Sequence, residues 1–284
     1  LIYTPSCYAT EEEIIELAKV IAPFNGIYAS HMRNESDKIV DAVKETINVG
    51  VQAGVRVDIS HHKMLGKPNW GKQKETLKLI HEAREKGVPV ICDQYPYTCN
   101  MTTLNACMPP WYFQDGFHAM TDKLKDTDFR KKLKAEMEDP ATAYDNYYLN
   151  AGGWNGVYVY SSPKTPAAEG RFISEYAESL HQDPWDVFFD LCVANNCETG
   201  GVYSSMCEED ICEIIRDPYC VVGSDGLTRT WKEKGHPRAS GTFPHVITYF
   251  VKEKGILSLE EAVRKMTGLT AEYLLVKNKG FIKD

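Results

Sequence analysis

The stretch Gly26-Ile-Tyr-Ala-Ser-His-Met-Arg-Asn-Glu35 decides the fold. Three apolar residues that begin at Ile27 are followed by polar residues from Ser30 onward, which is the pattern of a buried strand leaving the core. In α/β folds the active-site residues usually lie at the carboxyl ends of such strands. We therefore predict a β-strand that ends in a histidine, where the strand meets a loop. We expect Arg33 and Glu35 to brace that loop through a salt bridge.

The same arrangement recurs one strand–helix unit later, at Val55-Arg-Val-Asp-Ile-Ser-His-His-Lys63. Neighbouring parallel strands lie only about 4.8 Å apart, so two strands that both end in Ser-His can bring two imidazoles together. Because side chains alternate along a strand, only one of His61 and His62 can face that place. A strand-end histidine is more commonly a hydrogen-bonded structural residue, and one alone has roughly one chance in five of binding a metal.

Three consecutive strand–helix pairs occupy the first part of the chain. Thr10-Glu-Glu-Glu13 is a capping box that opens a helix ended by Pro23. Ser36 is the predicted cap of a second helix, which stops at Gly54, and the third strand is Val88-Pro-Val-Ile-Cys-Asp93. The opening Leu-Ile-Tyr-Thr-Pro reads as the end of an earlier strand. The short connections predict parallel strands with right-handed crossovers, and hence an α/β fold class.

From Met101 to about Pro218 this alternation breaks down, and we interpret the segment as an insertion over the strand ends. It contains a charged helix predicted over 121–137, with Thr121 as its cap. The last strand, Tyr219-Cys-Val-Val-Gly-Ser-Asp225, again ends in an ionisable residue. A helix predicted over 258–267 leads into a further strand, which starts at Gly280.

Composition narrows the class of protein. A net charge of −8 and a pI near 5.6 argue against a nucleic-acid or anionic-membrane surface. No apolar run of about eighteen residues predicts a membrane span. The nine cysteines include no C-x-x-C pair, which argues against a disulfide framework or zinc knuckle and favours a reducing, cytoplasmic location. No G-x-G-x-x-G follows a strand, so a doubly wound nucleotide-binding protein is a distant alternative.

His31, His61 and Asp225 all lie at predicted strand ends. Two imidazoles and one carboxylate suit zinc or a similar divalent ion. Such an ion lowers the pKa of its bound water to about 7, and a neighbouring carboxylate can take the proton and deliver it to a leaving nitrogen. The three residues together predict a hydrolytic metal site.

Further polar side chains near the same strand ends could bind a substrate. Lys63 shares the predicted face of His61 and could bind a carboxylate, although an exposed loop lysine would explain it equally well. Arg238 could bind a carboxylate with its planar fork. Tyr95, Tyr97 and Thr102 follow the third strand and could donate hydroxyl hydrogen bonds, although an aromatic turn would explain the two tyrosines.

Taken in order, these motifs resemble those of the N-acyl-D-amino-acid deacylases (D-aminoacylases) of the amidohydrolase superfamily. The resemblance covers nearly the whole chain. The matching pieces are Leu1-Ile-Tyr-Thr-Pro, Ser30-His-Met-Arg-Asn-Glu35, Ile59-Ser-His-His-Lys63, Asp93-Gln-Tyr-Pro-Tyr97, Gly223-Ser-Asp-Gly226, His236-Pro-Arg238, Gly241-Thr-Phe-Pro244 and Glu260-Glu-Ala-Val-Arg-Lys-Met-Thr267.

The resemblance implies the C-terminal part of a metal-dependent (β/α)₈ TIM barrel with an insertion before its last strand. It divides the chain into βα units of barrel strands 4 to 7 (1–100), an insertion or lid (101–218), and the last barrel strand, helices and start of a small β domain (219–284). It implies that His31 and His61 bind Zn²⁺ and that Asp225 is the catalytic acid and base. It assigns the substrate carboxylate to Lys63, Tyr95, Tyr97, Thr102 and Arg238.

The implied activity is hydrolysis of N-acyl-D-amino acids, small-molecule substrates, to a D-amino acid and a carboxylate. A related cyclic-amide or dipeptide hydrolase and an inactive truncated barrel fragment are the alternatives. The family's first-strand His-x-His and an early zinc-binding cysteine have no counterpart here, so we expect a fragment that lacks the N-terminal part. Unless the missing half is supplied, the open sheet edges of half a barrel predict strand pairing with another copy, which would make a homo-oligomer, or partial disorder.

Overall fold

The computed structural model describes residues 1–228 and 235–282. The strands of these residues are β1 (Ile27–Ser30), β2 (Arg56–Ile59), β3 (Val90–Gln94), β4 (Cys99–Thr103), β5 (Val157–Ser161), β6 (Arg171–Phe172), β7 (Gly200–Ser204) and β8 (Cys220–Val222). The helices are α1 (Glu11–Ile21), α2 (Ile39–Ala53), α3 (Gln73–Glu85), α4 (Gly116–Lys123), α5 (Thr127–Glu138), α6 (Tyr147–Asn150), α7 (Ile173–Leu180), α8 (Pro184–Ala194), α9 (Glu208–Arg216), α10 (Arg238–His245), α11 (Leu259–Met266) and α12 (Gly268–Tyr273). Among them, none is long and apolar enough to cross a membrane.

Four strands form a parallel sheet in the order β1-β2-β3-β8. The register pairs Ser30 with Ile59 and Gln94 with Val222, so the carboxyl ends of all four strands meet at one edge. Helices α2 and α3 make the connections between the first three strands. The predicted α/β class with an insertion before the last strand is confirmed. Within 1–228 and 235–282 the sheet stays open, and these residues do not close an eight-stranded barrel.

Local sequence signals explain the first two helices. The Thr10 hydroxyl accepts the amide of Glu13 at 3.2 Å, as the capping box predicted. Helix α2 packs so closely on β2 that a Cβ atom at Gly50 would lie 2.2 Å from Cγ2 of Val57, which leaves room only for glycine. The helix ends at Gly54, which has a left-handed φ of 68°. These features fix the outer layer of helices on the parallel sheet.

The insertion between β3 and β8 has its own sheet and core. Its strands are antiparallel in the order β4-β7-β5-β6. Trp154 stacks on Phe188 with ring centroids 4.5 Å apart, and the edge of Trp185 meets Trp154 at 4.9 Å. All three rings are buried, and burying side chains of this size stabilises the insertion by about 1.5–3 kcal/mol each. The insertion is thus a folded layer rather than a loose loop.

Two predicted elements of the termini are wrong. Residues 1–5 form no strand, and the N-terminal amine of Leu1 instead donates to the carbonyl of His31. Residues 280–282 form no strand either, because the chain turns at Gly280, whose φ is 82° and which packs against Gly268. Lys283, which the predicted strand included, lies outside the described residues.

Two predicted helix starts are also wrong. The helix predicted over 121–137 is two helices, α4 and α5, because the Asp126 carboxylate accepts the amides of Asp128 and Phe129 and starts a new helix there. Thr121 lies inside α4. Ser36 does not cap α2 with its side chain, and that helix begins after Lys38. A competing carboxylate, that of Asp126, sets the start of α5, and a short turn before Ile39 sets the start of α2.

Candidate metal centre

His31 and His61 meet at the carboxyl ends of β1 and β2. Their ring centroids lie 4.4 Å apart with the planes nearly perpendicular. His61 has a left-handed φ of 40°, which belongs to the tight turn that follows β2. His62 points the other way, is fully buried, and has its Nε2 atom 2.9 Å from the hydroxyl of Thr76 on α3. The alternation predicted for the two histidines therefore holds.

Glu35 is the third member of this cluster. Its side chain is fully buried, with Oε1 3.0 Å from Nδ1 of His61 and hydrogen-bonded to the ammonium of Lys63. Its other oxygen, Oε2, lies 3.9 Å from Nε2 of His31. Both of those atoms are buried without a hydrogen-bond partner. Ligand atoms of His31, Glu35 and His61 all lie within 4.8 Å of one another, so the three could hold one metal ion.

The electrostatics of the cluster suit a cation. Burial alone would raise the pKa of Glu35, but the charges of Lys63, His31 and His61 outweigh it and hold the pKa well below its usual value. Burial lowers the pKa of His31 to about 3. Near neutral pH the cluster thus offers an ionised carboxylate and an unprotonated imidazole. Imidazole nitrogens and a carboxylate oxygen are the donor set that zinc prefers.

Backbone hydrogen bonds to the insertion and to the loop after β2 hold Glu35 in place. The backbone amide of Glu35 donates to Oδ2 of Asp145 at 2.7 Å, and its carbonyl accepts the amide of Leu65 at 2.7 Å. The predicted Arg33–Glu35 salt bridge is wrong. Arg33 instead makes a forked pair with Glu45 on α2, at 2.8 to 3.1 Å, since Glu35 points inward to the histidines.

Lys63 is buried at the centre of the cluster rather than exposed in a loop. Its ammonium donates to Oε1 of Glu35 and to the carbonyl of His61 at 2.9 Å, and it lies 2.7 Å from Nδ1 of His61. The two hydrogen bonds use two of the three N–H donors of a lysine. In this arrangement Lys63 holds the cluster together.

Asp225 and Arg238 form an ion pair on another wall of the same cavity. Oδ2 of Asp225 lies 2.9 Å from Nη1 of Arg238, and Asp225 adopts a left-handed φ of 45° after β8. Arg238 is 4% exposed and lies over the ring of Tyr95, 4.7 Å from its centroid. The cavity has a volume of about 390 Å³ and is lined by both residues together with His31 and His61. The three predicted strand-end groups therefore share one cavity.

His236 fixes the position of Arg238. Its Nδ1 atom accepts the backbone amide of Arg238 at 3.0 Å, so its Nε2 carries the hydrogen and donates to the carbonyl of Cys99 at 2.9 Å. Burial and the neighbouring Arg238 lower the pKa of His236 to about 4. The neutral ring thus links the segment after β8 to β4 of the insertion.

The remaining predicted substrate ligands divide into two groups. Tyr95 and Thr102 line the cavity, and Thr102 accepts the hydroxyl of Tyr3 at 3.0 Å. Tyr97 is not among the residues that line it. Its ring stacks on His245 at 4.8 Å, and its hydroxyl lies 2.7 Å from where a Cβ of Gly241 would be. The two tyrosines of the Tyr-Pro-Tyr turn therefore do not both line the cavity.

Sequence reasoning missed Glu35 as a ligand candidate and did not consider Tyr3, whose ring lies 5.1 Å from that of His31. The signal for Glu35 was present, because it follows His31 by four residues in the same polar run. The predicted salt bridge with Arg33 accounted for Glu35 without a role in metal binding. Only the burial of its side chain distinguishes a ligand candidate from a surface brace.

The fold and this cluster define an α/β protein with a metal-type donor set at the carboxyl ends of parallel strands. No family model matches the chain. It is 34% identical over 278 residues to a D-aminoacylase of Alcaligenes xylosoxydans xylosoxydans, an alignment that covers 98% of this chain and 47% of that protein. A crystal structure of D-aminoacylase, described as defining a novel subset of amidohydrolases, matches with a TM-score of 0.74 and 32% identity over 98% of this chain and 48% of that one.

The structure of N-acyl-D-glutamate deacylase from Bordetella bronchiseptica, complexed with zinc and a phosphonate inhibitor, matches with a TM-score of 0.77 and 28% identity. That match covers 99% of this chain and 49% of the other. The chain is therefore a relative of the N-acyl-D-amino-acid deacylases of the amidohydrolase superfamily. It spans about half the length of the curated relatives it matches.

Proposed function

We propose that the protein containing this chain is a zinc-dependent N-acyl-D-amino-acid deacylase. The observation that carries the proposal is the pair of buried, unpartnered atoms, Nε2 of His31 and Oε2 of Glu35, that face each other 3.9 Å apart beside His61. Leaving two such atoms without a partner is costly unless a ligand joins them. The zinc complex of the related glutamate deacylase supports zinc as that ligand.

His31, His61 and Glu35 would hold the ion, with Lys63 keeping Glu35 and His61 in position. When bound, zinc would supply a hydroxide nucleophile near neutral pH and polarise the acyl carbonyl. Asp225 would act as the general base that accepts a proton from water on its carboxylate and then as the acid that passes it to the leaving amine. Its side chain is 38% exposed toward the cavity, so water and substrate can reach it.

Arg238 would bind the α-carboxylate of the substrate. Its guanidinium is nearly fully buried, and the ring of Tyr95 and the carbonyl of Met101 at 3.4 Å hold it in place. A buried arginine recognises a carboxylate well because its planar fork matches the two oxygens. The hydroxyls of Tyr95 and Thr102 would complete this binding surface.

The test is hydrolysis of a panel of N-acetyl-D- and N-acetyl-L-amino acids, dipeptides and a cyclic amide by the complete protein that carries these residues. We expect release of D-amino acids, and a loss of about 100-fold or more in kcat for Asp225→Asn. About one tightly bound zinc per chain by elemental analysis is also expected. A folded protein with no zinc and no activity would instead support an inert barrel fragment.

Cleavage of dipeptides or cyclic amides alone would assign the protein to a related hydrolase. Activity of Asp225→Asn within about tenfold of the original protein would remove Asp225 from the mechanism.

We also propose a cytoplasmic location and association with another copy. The location is supported by the cysteines, all nine of which are described and free of disulfide bonds. The association is supported by β1 and β8, which form the two edges of the parallel sheet within the described residues. Fractionation of cells that make the complete protein would test the location, and light scattering on the 284-residue chain would test pairing through these edges.

A further inference from the structure

A second and larger cavity adjoins the cavity of the metal centre. Its volume is about 900 Å³, against about 390 Å³ for the first. The two share four lining residues, Tyr3, Thr102, Thr103 and Tyr147. Tyr3 separates them, because its ring packs on His31 and its hydroxyl donates to Thr102. A ligand that passes Tyr3 would thus reach from one cavity into the other.

Three exposed aromatic side chains line the larger cavity. Tyr8, Trp111 and Phe117 line it and are 49%, 37% and 39% exposed. The buried side chains of Met108 and Phe113 form part of its wall. Clustered exposed apolar side chains of this kind mark surfaces that bind an apolar ligand or partner.

The charged groups of this cavity do not favour an anionic ligand. Arg33 lines it, but its guanidinium already donates to Glu45 and to the carbonyls of Cys7 and Ala9 at 2.9 Å. Four of its five N–H groups are used by these bonds and by the Nε–Glu45 bond. The other charged lining residues are mostly acidic: Glu11, Asp37, Lys38, Asp41, Glu45 and Asp145. An anionic group is therefore disfavoured, and the aromatic wall of the cavity is the part that suits an uncharged apolar group.

The order of contacts shows which part of a substrate would enter. Arg238 lies against Tyr95, whose ring is 5.8 Å from the ammonium of Lys63. Lys63 contacts His61, which contacts His31, and His31 contacts Tyr3. The histidine pair thus lines the same cavity as Arg238, and His31 of the pair also contacts Tyr3, which borders the larger cavity. A substrate held by its carboxylate at Arg238, with its amide at the histidines, would direct its acyl group toward Tyr3.

We propose that the larger cavity binds the hydrocarbon chain of the N-acyl group, so that the preferred substrates are N-acyl-D-amino acids with medium or long unbranched acyl chains. The inference rests on the proposed deacylase function and adds the substrate class. Each methylene that enters an apolar cavity contributes about 0.8 kcal/mol, which is roughly a fourfold gain in affinity.

The test compares kcat/KM for the acetyl, butanoyl, hexanoyl and decanoyl derivatives of one D-amino acid in the complete protein. We expect a rise of at least about 100-fold from acetyl to decanoyl. Phe117→Asp places a charge in the cavity at an exposed position, and should lower the rate for decanoyl at least about tenfold more than the rate for acetyl. Leu180→Asp, at a similarly exposed position on α7 outside the cavity, is the matched control and should leave the whole series unchanged.

Binding of decanoate, followed by the fluorescence of Trp111, gives a readout that does not need turnover. We expect saturable binding that Phe117→Asp weakens at least about tenfold and Leu180→Asp does not. If the acetyl compound is cleaved but kcat/KM does not rise with chain length, the acyl cavity is overturned and the deacylase function is retained. Such a result is expected where polypeptide outside the 284 residues fills the cavity. Failure to cleave any derivative overturns the proposed function, and decanoate binding then decides the cavity alone: loss in Phe117→Asp supports it, and no binding overturns it.

Discussion

Oε1 and Oε2 of Glu35 have different surroundings, and the difference is set by Lys63. The ammonium of Lys63 hydrogen-bonds to Oε1, whereas Oε2 faces His31 with no hydrogen-bond partner. One oxygen is thus fixed by the protein and the other is directed at the place where a cation would bind. Two predictions about metal binding and stability follow from this arrangement.

Removing a ligand should remove the metal. His31→Ala and Glu35→Gln are each expected to weaken zinc binding about 100-fold or more. Loss of a residue that only hydrogen-bonds to a metal ligand already lowers metal affinity about 10–100-fold, and loss of the ligand itself should cost at least as much. Zinc affinity measured by competition with a chromophoric chelator checks this. His118→Ala, at an exposed histidine on α4, is the control and should bind zinc normally. Unchanged affinity in both cluster variants would exclude the cluster as the metal centre.

Removing Lys63 should destabilise the fold through Glu35. Lys63→Met leaves a buried carboxylate without its cation, and we expect a loss of about 3–5 kcal/mol in the free energy of unfolding by urea. The double variant Lys63→Met/Glu35→Gln should recover much of that loss, since no unpaired charge remains. Equal destabilisation of the single and double variants would show that Lys63 acts by packing and not by charge.

Arg238 should discriminate between an acid and its amide. Arg238→Lys removes the planar fork, and we expect kcat/KM for an N-acetyl-D-amino acid to fall about 10–100-fold. The corresponding amino-acid amide has no carboxylate, so its slower hydrolysis should change much less. Steady-state kinetics on the two compounds checks this prediction. An equal loss on both would assign Arg238 to positioning Asp225 alone.

Acid should destabilise the protein partly through His236. Its pKa falls from 6.5 to about 4 on folding, so below pH 6.5 the unfolded chain binds a proton that the folded chain refuses. Above pH 6.5 the ring is neutral in both states, and His236 does not reduce the free energy of unfolding. As the pH falls from 6.5 toward 4, protonation of the unfolded chain reduces the free energy of unfolding by on the order of 3 kcal/mol.

His236→Asn keeps an acceptor for the Arg238 amide and cannot titrate, so it should lose less stability across this range. Urea unfolding at pH 7 and at pH 4.5 measures the difference, with His118→Asn as the control. The same pH dependence in the original protein and in His236→Asn would rule out the titration of His236 as a cause.

The parallel sheet and the histidine pair could be predicted because local patterns determine them. Each strand ends where apolar residues give way to polar ones, and the capping box at Thr10 needs only neighbouring residues. The antiparallel sheet of the insertion could not be predicted in the same way. Its first pairing joins Cys99 to Ser204, across more than a hundred residues, and no local signal specifies such a partner.

The site shows the same division. His31, His61 and Asp225 were found from strand ends, whereas the contacts of Glu35 and Lys63 depend on which charged groups the fold buries. Burial of an ion pair is a tertiary property, and in sequence such residues look like ordinary surface charges. Tyr97 shows the opposite case, since its ring packs against His236 and His245 and it does not line the cavity.

The hydrogen bond from the amide of Glu35 to Asp145 joins the loop after β1 to the insertion. A chimaera that carried the insertion of another relative would replace the residues of the insertion that line the cavity. The same exchange would replace Asp145, which supports Glu35. Selectivity and metal retention should therefore change together when such segments are swapped, unless the incoming insertion carries an acceptor at the position of Asp145.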